Sequence, residues 1–583
     1  MTYENDVQDA QRFLQAGNYK RSLKAALSAV KKSPRSAMAS NIAGIAASAS
    51  GHPSDAIKYF QKAIALNPDF ADAKKNLAQT LIVIGRADTA LAVLVRLSKS
   101  TPDDWKVWYL KAQAELALGK EKDGLASVQS ALAIQPETLS VYHLRSLLNL
   151  SLGRIKDAID DLYAVLNINP ADVVALTNLS LPLARQTRSQ EALDVVQKAV
   201  ELDPSNVAAR YRLATQFVEM GQWDEGIFHY NAILELEPEH PAALEQLTLL
   251  LPKAQVAALE PKIQTALKKV PKNSENRASL FYALSTALSA AEKTADAEKT
   301  LGLANKEMAN LLRYVPAADA DVTRAILGRF PTELKIEGDT PAGPSPIFVI
   351  GLPRSGTTLV EAVLGGHPHV TPLGERGTAG FLLRDTIERD LPFTALDAAE
   401  MVLEDQRLLP DLPERTVAYV DKMPENYRLV GFLKLAYPNC RIINVRRDPR
   451  DIALSMWKSH FSGTALSYTY DWDWMAFRFN LYAQSMAHWK SVLPGQIFDV
   501  DYKELVKDVE GTGRRMAEFC DLEWQSAMAR PDLSTTQILT QSATQLRRPV
   551  HTDSVDKWRK HTDLLERFVN GLDRKLWHDY LKD

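Results

Sequence analysis

Cysteine is nearly absent from this chain: Cys440 and Cys520 are the two in 583 residues, and neither stands in a CxxC or other metal-ligand spacing. That argues against a zinc site and against a disulfide framework, and both cysteines fall in stretches that read as buried helix or its flank. Excess charge is also missing, with 69 Lys plus Arg against 72 Asp plus Glu and a formal net charge of −3. No whole-chain field favours nucleic acid or an anionic membrane, so any anion site must be local. No window approaches the roughly eighteen uninterrupted apolar residues of a membrane span. The opening Met1-Thr2-Tyr3-Glu4-Asn5-Asp6 is acidic and polar, without the apolar stretch of a secretory signal. The expectation is a soluble, cytoplasmic protein with no membrane span and no nucleic-acid partner. At 583 residues the chain exceeds one ordinary core, so at least two domains are expected.

What is present in the first half is a repeat. Prolines recur at Pro34, Pro68, Pro102, Pro136, Pro170, Pro204 and Pro238, every step being 34 residues. A parallel series runs through Gly17, Gly51, Gly85, Gly119, Gly153 and Gly221, with Thr187 in the one slot that lacks glycine. Five residues after each slot stands a small residue (Ser22, Ala56, Ala90, Gly124, Ala158, Ala192, Gly226), where the two helices of a hairpin must approach closely. Glycine permits the turn after a first helix, and proline stops the second because it cannot donate an interior hydrogen bond. Seven helical hairpins are predicted. The spacing resembles that of the tetratricopeptide family, as does "GHPSDAIKYFQKAIALNPDFADA" at 51–73. Pro271 then breaks the register by one, and 274–312 keeps helical spacing, read as degenerate or capping helices at the solenoid's end. The solenoid is assigned 1–314. Such arrays hold peptides in a concave groove, although a supporting or assembly role for the solenoid is equally a reading of the repeats alone.

The composition changes at Asp339-Thr340-Pro341-Ala342-Gly343-Pro344-Ser345-Pro346, which carries three prolines and a glycine in eight residues. That is poor helix and a plausible linker, assigned 315–345, with a second domain at 346–583. There the period switches: Ile347-Phe348-Val349-Ile350 is an apolar β-prone run, then Gly-Leu-Pro-Arg-Ser-Gly-Thr-Thr, then a helical stretch at 359–364. Further runs at 417–420, 441–445 and 497–500 alternate with helical stretches. This is the signature of an α/β, P-loop-like three-layer domain with a parallel sheet covered on both faces.

The loop 351–358 offers backbone N–H groups, the hydroxyls of Ser355, Thr357 and Thr358, and the Arg354 guanidinium at a helix N-terminus, a set that suits one anion. No Gly-Lys-Ser/Thr closes it and the charge lies inside the loop, which weakens a Mg²⁺-nucleotide reading. From Pro353 to Leu359 these residues resemble the 5′-phosphosulfate loop of sulfotransferases, and those of the tyrosylprotein sulfotransferase family most closely. "LGGHPHVTPLGE" (364–375), "DKMPENYRLVGFLKLAYPNCRIINVRRDPRDIALSM" (421–456), "VDYKELV" (500–506) and "SATQLRRPVHTDSVDKW" (542–558) follow in that family's order.

The resemblance implies a sulfotransferase that uses 3′-phosphoadenosine-5′-phosphosulfate (PAPS) and no metal. It implies Arg354, Ser355, Gly356, Thr357 and Thr358 at the 5′-phosphosulfate, Arg447 and Ser455 at the 3′-phosphate, and Tyr502, Ser542, Arg548 and Lys557 as further nucleotide contacts. Independently, Arg447 ends a buried strand and Ser455 lies on the next helix, so both can face the crevice where open α/β sheets bind ligands. Sulfuryl transfer needs a base for the acceptor proton and positive charge at the departing oxygen. Glu375 is expected as the base, with Lys422 and Arg354 at the leaving group. Two positions depart from the family: Arg376 stands where a second glutamate is expected, and Ser459 where an arginine is expected, so Arg450 is a candidate to complete the 3′-phosphate clamp. Glu375 could instead pair locally with Arg376 or Arg384. The acceptor is read as protein or peptide, at tyrosine, held by the repeat groove. The alternatives are a small-molecule, glycan or lipid acceptor, or an inactive repeat adaptor.

Overall fold

The computed structural model describes residues 3–336, 338, 341–461, 463–533 and 549–581. The chain divides into two compact units, 1–175 and 176–583.

The seven hairpins are all formed, from Tyr3–Gln15 with Tyr19–Lys32 to Val207–Glu219 with Trp223–Leu236. The first five pairs of helices lie in the first unit and the last two begin the second, the helix Val173–Arg185 crossing the division. Every second helix ends two residues before its proline. The six slot glycines have φ between +67° and +83°, and Thr187 adopts φ +58° in the same place. The turn thus imposes its backbone even where the side chain resists it. The small residues five positions on are buried: Ala56, Ala90, Ala158 and Ala192 at 0 % exposure. At Gly226 an added Cβ would lie 2.6 Å from the Val218 side chain.

After the seventh hairpin come Pro241–Leu250, two short helices, and the pair Glu275–Ala290 and Thr294–Leu311. This last pair was expected as a degenerate or capping end. One of its faces instead enters the largest hydrophobic core of the second unit, where Ala278, Phe281, Tyr282, Leu301, Ala304 and Met308 share a cluster with Phe348, Ile442 and Phe479. Within the stretch read as a linker, Pro316–Gly328 forms a helix. Its Asp319 meets Arg478 at 2.5 Å and Arg428 at 2.9 Å.

The sheet has five strands, β1 (Ser345–Gly351), β2 (Val370–Pro372), β3 (Ala418–Asp421), β4 (Arg441–Arg446) and β5 (Ile497–Asp501), in the order β2-β3-β1-β4-β5. All pairings are parallel. Alternation along β1 sends Phe348 and Ile350 into one core and Ile347 and Val349 into the other, so helices cover both faces as the apolar runs require. β2 was missed in the sequence because three residues carry too little periodicity to register. A parallel sheet puts every strand's carboxyl end on one edge, and here those five ends lead into the loop 352–356, Gly374-Glu375, Lys422, Arg447 and Tyr502.

A left-handed conformation costs a non-glycine residue about 1–2 kcal/mol, partly offset by the extra unfolded-state freedom of glycine. Thr187→Gly is therefore expected to stabilise the solenoid by about 0.5–1 kcal/mol, read as a higher denaturant midpoint at unchanged slope.

Candidate functional site

Gly356 caps the helix Thr357–Gly365 at φ +109°, and no side chain satisfies that helix start. The first N–H groups of a helix have no intrahelical partner, so these point into the loop's concavity. The loop itself is strained at Arg354, a non-glycine residue at φ +70°. Ser355 is fully buried, and its Oγ has no hydrogen-bond partner among the described residues. Gly356 has no room for a side chain, since a Cβ would stand 2.3 Å from the Tyr502 ring. Helix start, orphan hydroxyl and close-packed glycine together make a cradle for an anion.

Positive charge converges on that cradle. Arg354 Nε donates to Ser455 Oγ at 3.1 Å, and Arg447 Nη1 donates to the Arg354 carbonyl at 2.9 Å. Arg447 also donates to the Ser554 carbonyl at 2.6 Å and lies over the Tyr502 ring at 4.6 Å, while Tyr502 OH meets Ser554 Oγ at 2.7 Å. Burial, and then the neighbouring Arg447 charge, pull the Arg354 guanidinium down to about 10. Arg447 is lowered as well, mainly by desolvation. Two half-buried cations, one weakened by the charge of the other, are stabilised by an anion beside them.

Beside this cluster, Lys422 follows β3 and is 0 % exposed, and its Nζ donates to Glu375 Oε1 at 2.7 Å. The Glu375 side chain is 47 % exposed, so one carboxylate face is paired and the other reaches solvent. The loop is held from behind by buried Glu361, which accepts the Gly374 N–H at 2.7 Å. Burial pushes Glu361 up from its ordinary value. Arg376 turns away into a buried ion pair with Asp405 at 2.9 Å. Asp405 also accepts from Tyr437 OH at 2.7 Å. Local pairing of Glu375 with Arg376 is therefore not what forms.

Of the residues expected at the site, Arg354, Ser355, Gly356, Thr357, Thr358, Arg447, Ser455 and Tyr502 come together, with Glu375 and Lys422 as a pair on the adjoining strand end. Lys557 is exposed at the start of the turn Lys557–Lys560. Ser542 and Arg548 lie outside the described residues. Arg450, the candidate to complete the 3′-phosphate clamp, meets Asp448 at 2.7 Å, the Tyr580 carbonyl at 2.8 Å and the Trp558 ring at 3.5 Å. Ser459 donates to the Ser455 carbonyl at 2.8 Å. Among the described residues there is no group of three or more His, Cys, Asp or Glu that could hold a metal ion, and no helix long and apolar enough to cross a membrane. The sequence reading overlooked Ser554, Glu361 and Asp405. Ser554 lay within a quoted motif, whereas the two carboxylates carry no local signal.

Against known proteins, residues 346–526 match the sulfotransferase family model, and 8–69, 47–114 and 183–251 match tetratricopeptide-repeat models. The chain thus carries tetratricopeptide repeats in its N-terminal region and a sulfotransferase-family domain after them. It is similar to a protein of Aquifex aeolicus (strain VF5), 32 % identical over 244 residues that cover 39 % of this chain and 32 % of that one. It is also similar to protein-tyrosine sulfotransferase A of Caenorhabditis elegans, 26 % identical over 241 residues, 36 % of this chain and 60 % of that one. The matches therefore span about a third and three fifths of those relatives. A tetratricopeptide-repeat protein of Thermus thermophilus superposes with a TM-score of 0.29 and 23 % identity, over 31 % of this chain and 100 % of that one.

One buried acid behind the site titrates in an accessible range. Burial pushes Asp421 from 3.8 up to about 7, against the opposing Arg376 charge. The folded protein therefore keeps a proton that the unfolded chain releases. The stability this contributes is full below about pH 4 and is lost as pH rises to about 7. Asp421→Asn, which keeps the shape without the ionisation, is expected to raise the melting temperature at pH 8 and to leave it little changed at pH 4.

Proposed function

We propose that the C-terminal domain transfers a sulfuryl group from PAPS to an acceptor hydroxyl, and that the acceptor is a protein or peptide tyrosine presented by the repeats. The observation that carries the donor assignment is the pairing of an anion cradle with a base and cation beside it. Ser355 and Gly356 line the cradle, Arg354 and Arg447 converge on it, and Glu375 is bonded to Lys422 at 2.7 Å next to it. The residues fit the ligand: the loop 354–358 would hold the 5′-phosphosulfate, and Arg447 with Ser455 the 3′-phosphate, where a planar guanidinium fork suits a terminal phosphate.

When bound, PAPS supplies an activated sulfuryl group on a phosphate leaving group. Glu375 accepts the proton of the acceptor hydroxyl through its open face, work that a carboxylate performs on a phenol only as the new bond forms. Lys422 and Arg354 present positive charge where negative charge builds on the departing oxygen. With Arg376 committed to Asp405, Glu375 is the carboxylate of this loop free to act as base.

A repeat residue supports presentation of the acceptor by the solenoid. Arg185, on the last turn of the helix Val173–Arg185, is exposed yet crowded enough that desolvation lowers its pKa, and Glu375 is one of the charges acting on it. Arg212, on the first helix of the next hairpin, is fixed by Glu219 at 3.0 Å and Ser180 at 3.1 Å, and its charge also acts on Arg185. The Arg185 charge is thus within electrostatic reach of the candidate base, which supports an acceptor site beside the repeats.

Three experiments test this reading. Calorimetry without added metal should show tight binding of adenosine 3′,5′-bisphosphate, weakened at least about tenfold in Arg447→Ala, a loss of roughly 1.4 kcal/mol. Glu375→Gln should bind that nucleotide normally yet lose about 10²–10⁴-fold in sulfate incorporation; no nucleotide binding by the wild type would end the sulfotransfer reading. With a tyrosine peptide as acceptor, Arg185→Glu should raise its KM about tenfold while nucleotide affinity holds. An unchanged KM would detach the repeats from acceptor binding.

A further inference from the structure

Three side chains of the last repeat helices each reach one of two segments that carry candidate nucleotide residues. Asn305, on Thr294–Leu311, is 0 % exposed and donates through Nδ2 to the Trp457 carbonyl at 3.0 Å, at the end of the helix Pro449–Trp457 that bears Ser455. Its Oδ1 accepts from Tyr282 OH at 3.0 Å, so the amide is held on both sides. Glu245, on Pro241–Leu250, meets His460 Nδ1 at 3.0 Å and accepts from Ser279 Oγ at 2.6 Å, and the Tyr282 ring stacks on His460 at 5.0 Å. Glu298 meets His561 Nδ1 at 3.0 Å, and the same ring's Nε2 lies 3.3 Å from Lys458 Nζ.

These contacts reach the Arg354–Arg447 cluster through short links. Ser459 Oγ donates to the Ser455 carbonyl at 2.8 Å, and Ser455 Oγ in turn receives Arg354 Nε at 3.1 Å. The segment that ends at His561 is tied to the same helix by Asp451, which accepts the N–H groups of Asp556 at 2.8 Å and Trp558 at 3.0 Å. A helix end leaves carbonyls without intrahelical partners, and here a repeat side chain supplies one. The position where an arginine was expected by resemblance is Ser459, which bonds back to its own helix rather than outward.

We infer that Asn305 and Glu245 are positioning residues of the nucleotide site, and that the repeat helices 241–311 set the geometry with which Arg447 and Ser455 receive a 3′-phosphate. This rests on the PAPS reading above. Misplacing a charged contact by even about 1 Å costs binding steeply, and the effect must fall on ligands that carry the 3′-phosphate.

The experiment compares adenosine 3′,5′-bisphosphate with adenosine 5′-monophosphate by calorimetry on the full chain, with the melting temperature recorded for each variant. The wild type should prefer the bisphosphate; if it binds neither or does not discriminate, the PAPS reading fails and the inference with it. Given wild-type discrimination, Asn305→Leu and Glu245→Ala should each reduce it by about tenfold, through weaker bisphosphate binding alone. Glu245→Gln, which can still bond Ser279 and a neutral His460, should restore it to within about twofold. Glu298→Ala, at a more exposed pair, should fold in any case and reduce discrimination about threefold. Folded variants that discriminate as the wild type does would overturn the positioning role while leaving the PAPS reading intact.

Discussion

The half-buried meeting of Arg354 and Arg447 at the carboxyl edge of the sheet is the constraint from which the rest of the second unit follows. Each guanidinium is held by a main-chain or hydroxyl oxygen of the other's surroundings, and burial depresses both. A parallel sheet with both faces covered by helices is what delivers such a site, because it gathers the ends of five strands at one edge and leaves that edge as the open crevice. The strain at Arg354, φ +70°, belongs to the same device: a residue in a sparsely populated conformation persists where its surroundings over-determine it.

The loop of Glu375 shows how an arginine at an unexpected position is absorbed. An arginine beside a candidate base would compete with Lys422 for the carboxylate if it faced the crevice. Arg376 instead lies 2.9 Å from Asp405, both side chains 7 % exposed, with Tyr437 donating to the same aspartate at 2.7 Å. A buried pair of this kind contributes little net stability over an apolar substitute, yet removing one partner costs about 3–5 kcal/mol because a bare charge remains inside. Such a pair specifies geometry more than it stabilises. Beside it Glu375 pairs with Lys422 and the Gly374 amide bonds Glu361.

The repeats have two characters. Up to Leu236 they form an array of equivalent hairpins, where each pair needs its neighbours to bury its apolar face. From Pro241 onward the helices keep the hairpin plan but lend their faces to the core around the sheet, so that Phe281, Leu301 and Met308 belong to the cluster of Phe348 and Phe479. The helix Pro316–Gly328, in a stretch with a linker's composition nearby, is locked by Asp319 to Arg478 and Arg428 for the same reason. Solenoid and sulfotransferase-family domain therefore share one interior from residue 278 on.

The sequence by itself determined whatever depends on short-range sterics. A glycine or its substitute every 34 residues has to turn, and the observed φ values, including +58° at Thr187, follow from that. An apolar run followed by a Gly-Ser-Thr loop and a helix has to open an anion-binding helix start, and Gly351, Arg354 and Gly356 were legible on that ground. Only the tertiary structure decided which charges pair across long separations. Arg376 with Asp405, Lys422 with Glu375, Arg450 with Asp448, and Glu245 with His460 are chosen by what burial leaves within reach, and a one-dimensional reading has no measure of desolvation. The face that the last repeat helices present was undetermined for the same reason. Helical periodicity says that a helix has an apolar stripe, and only packing says what covers it.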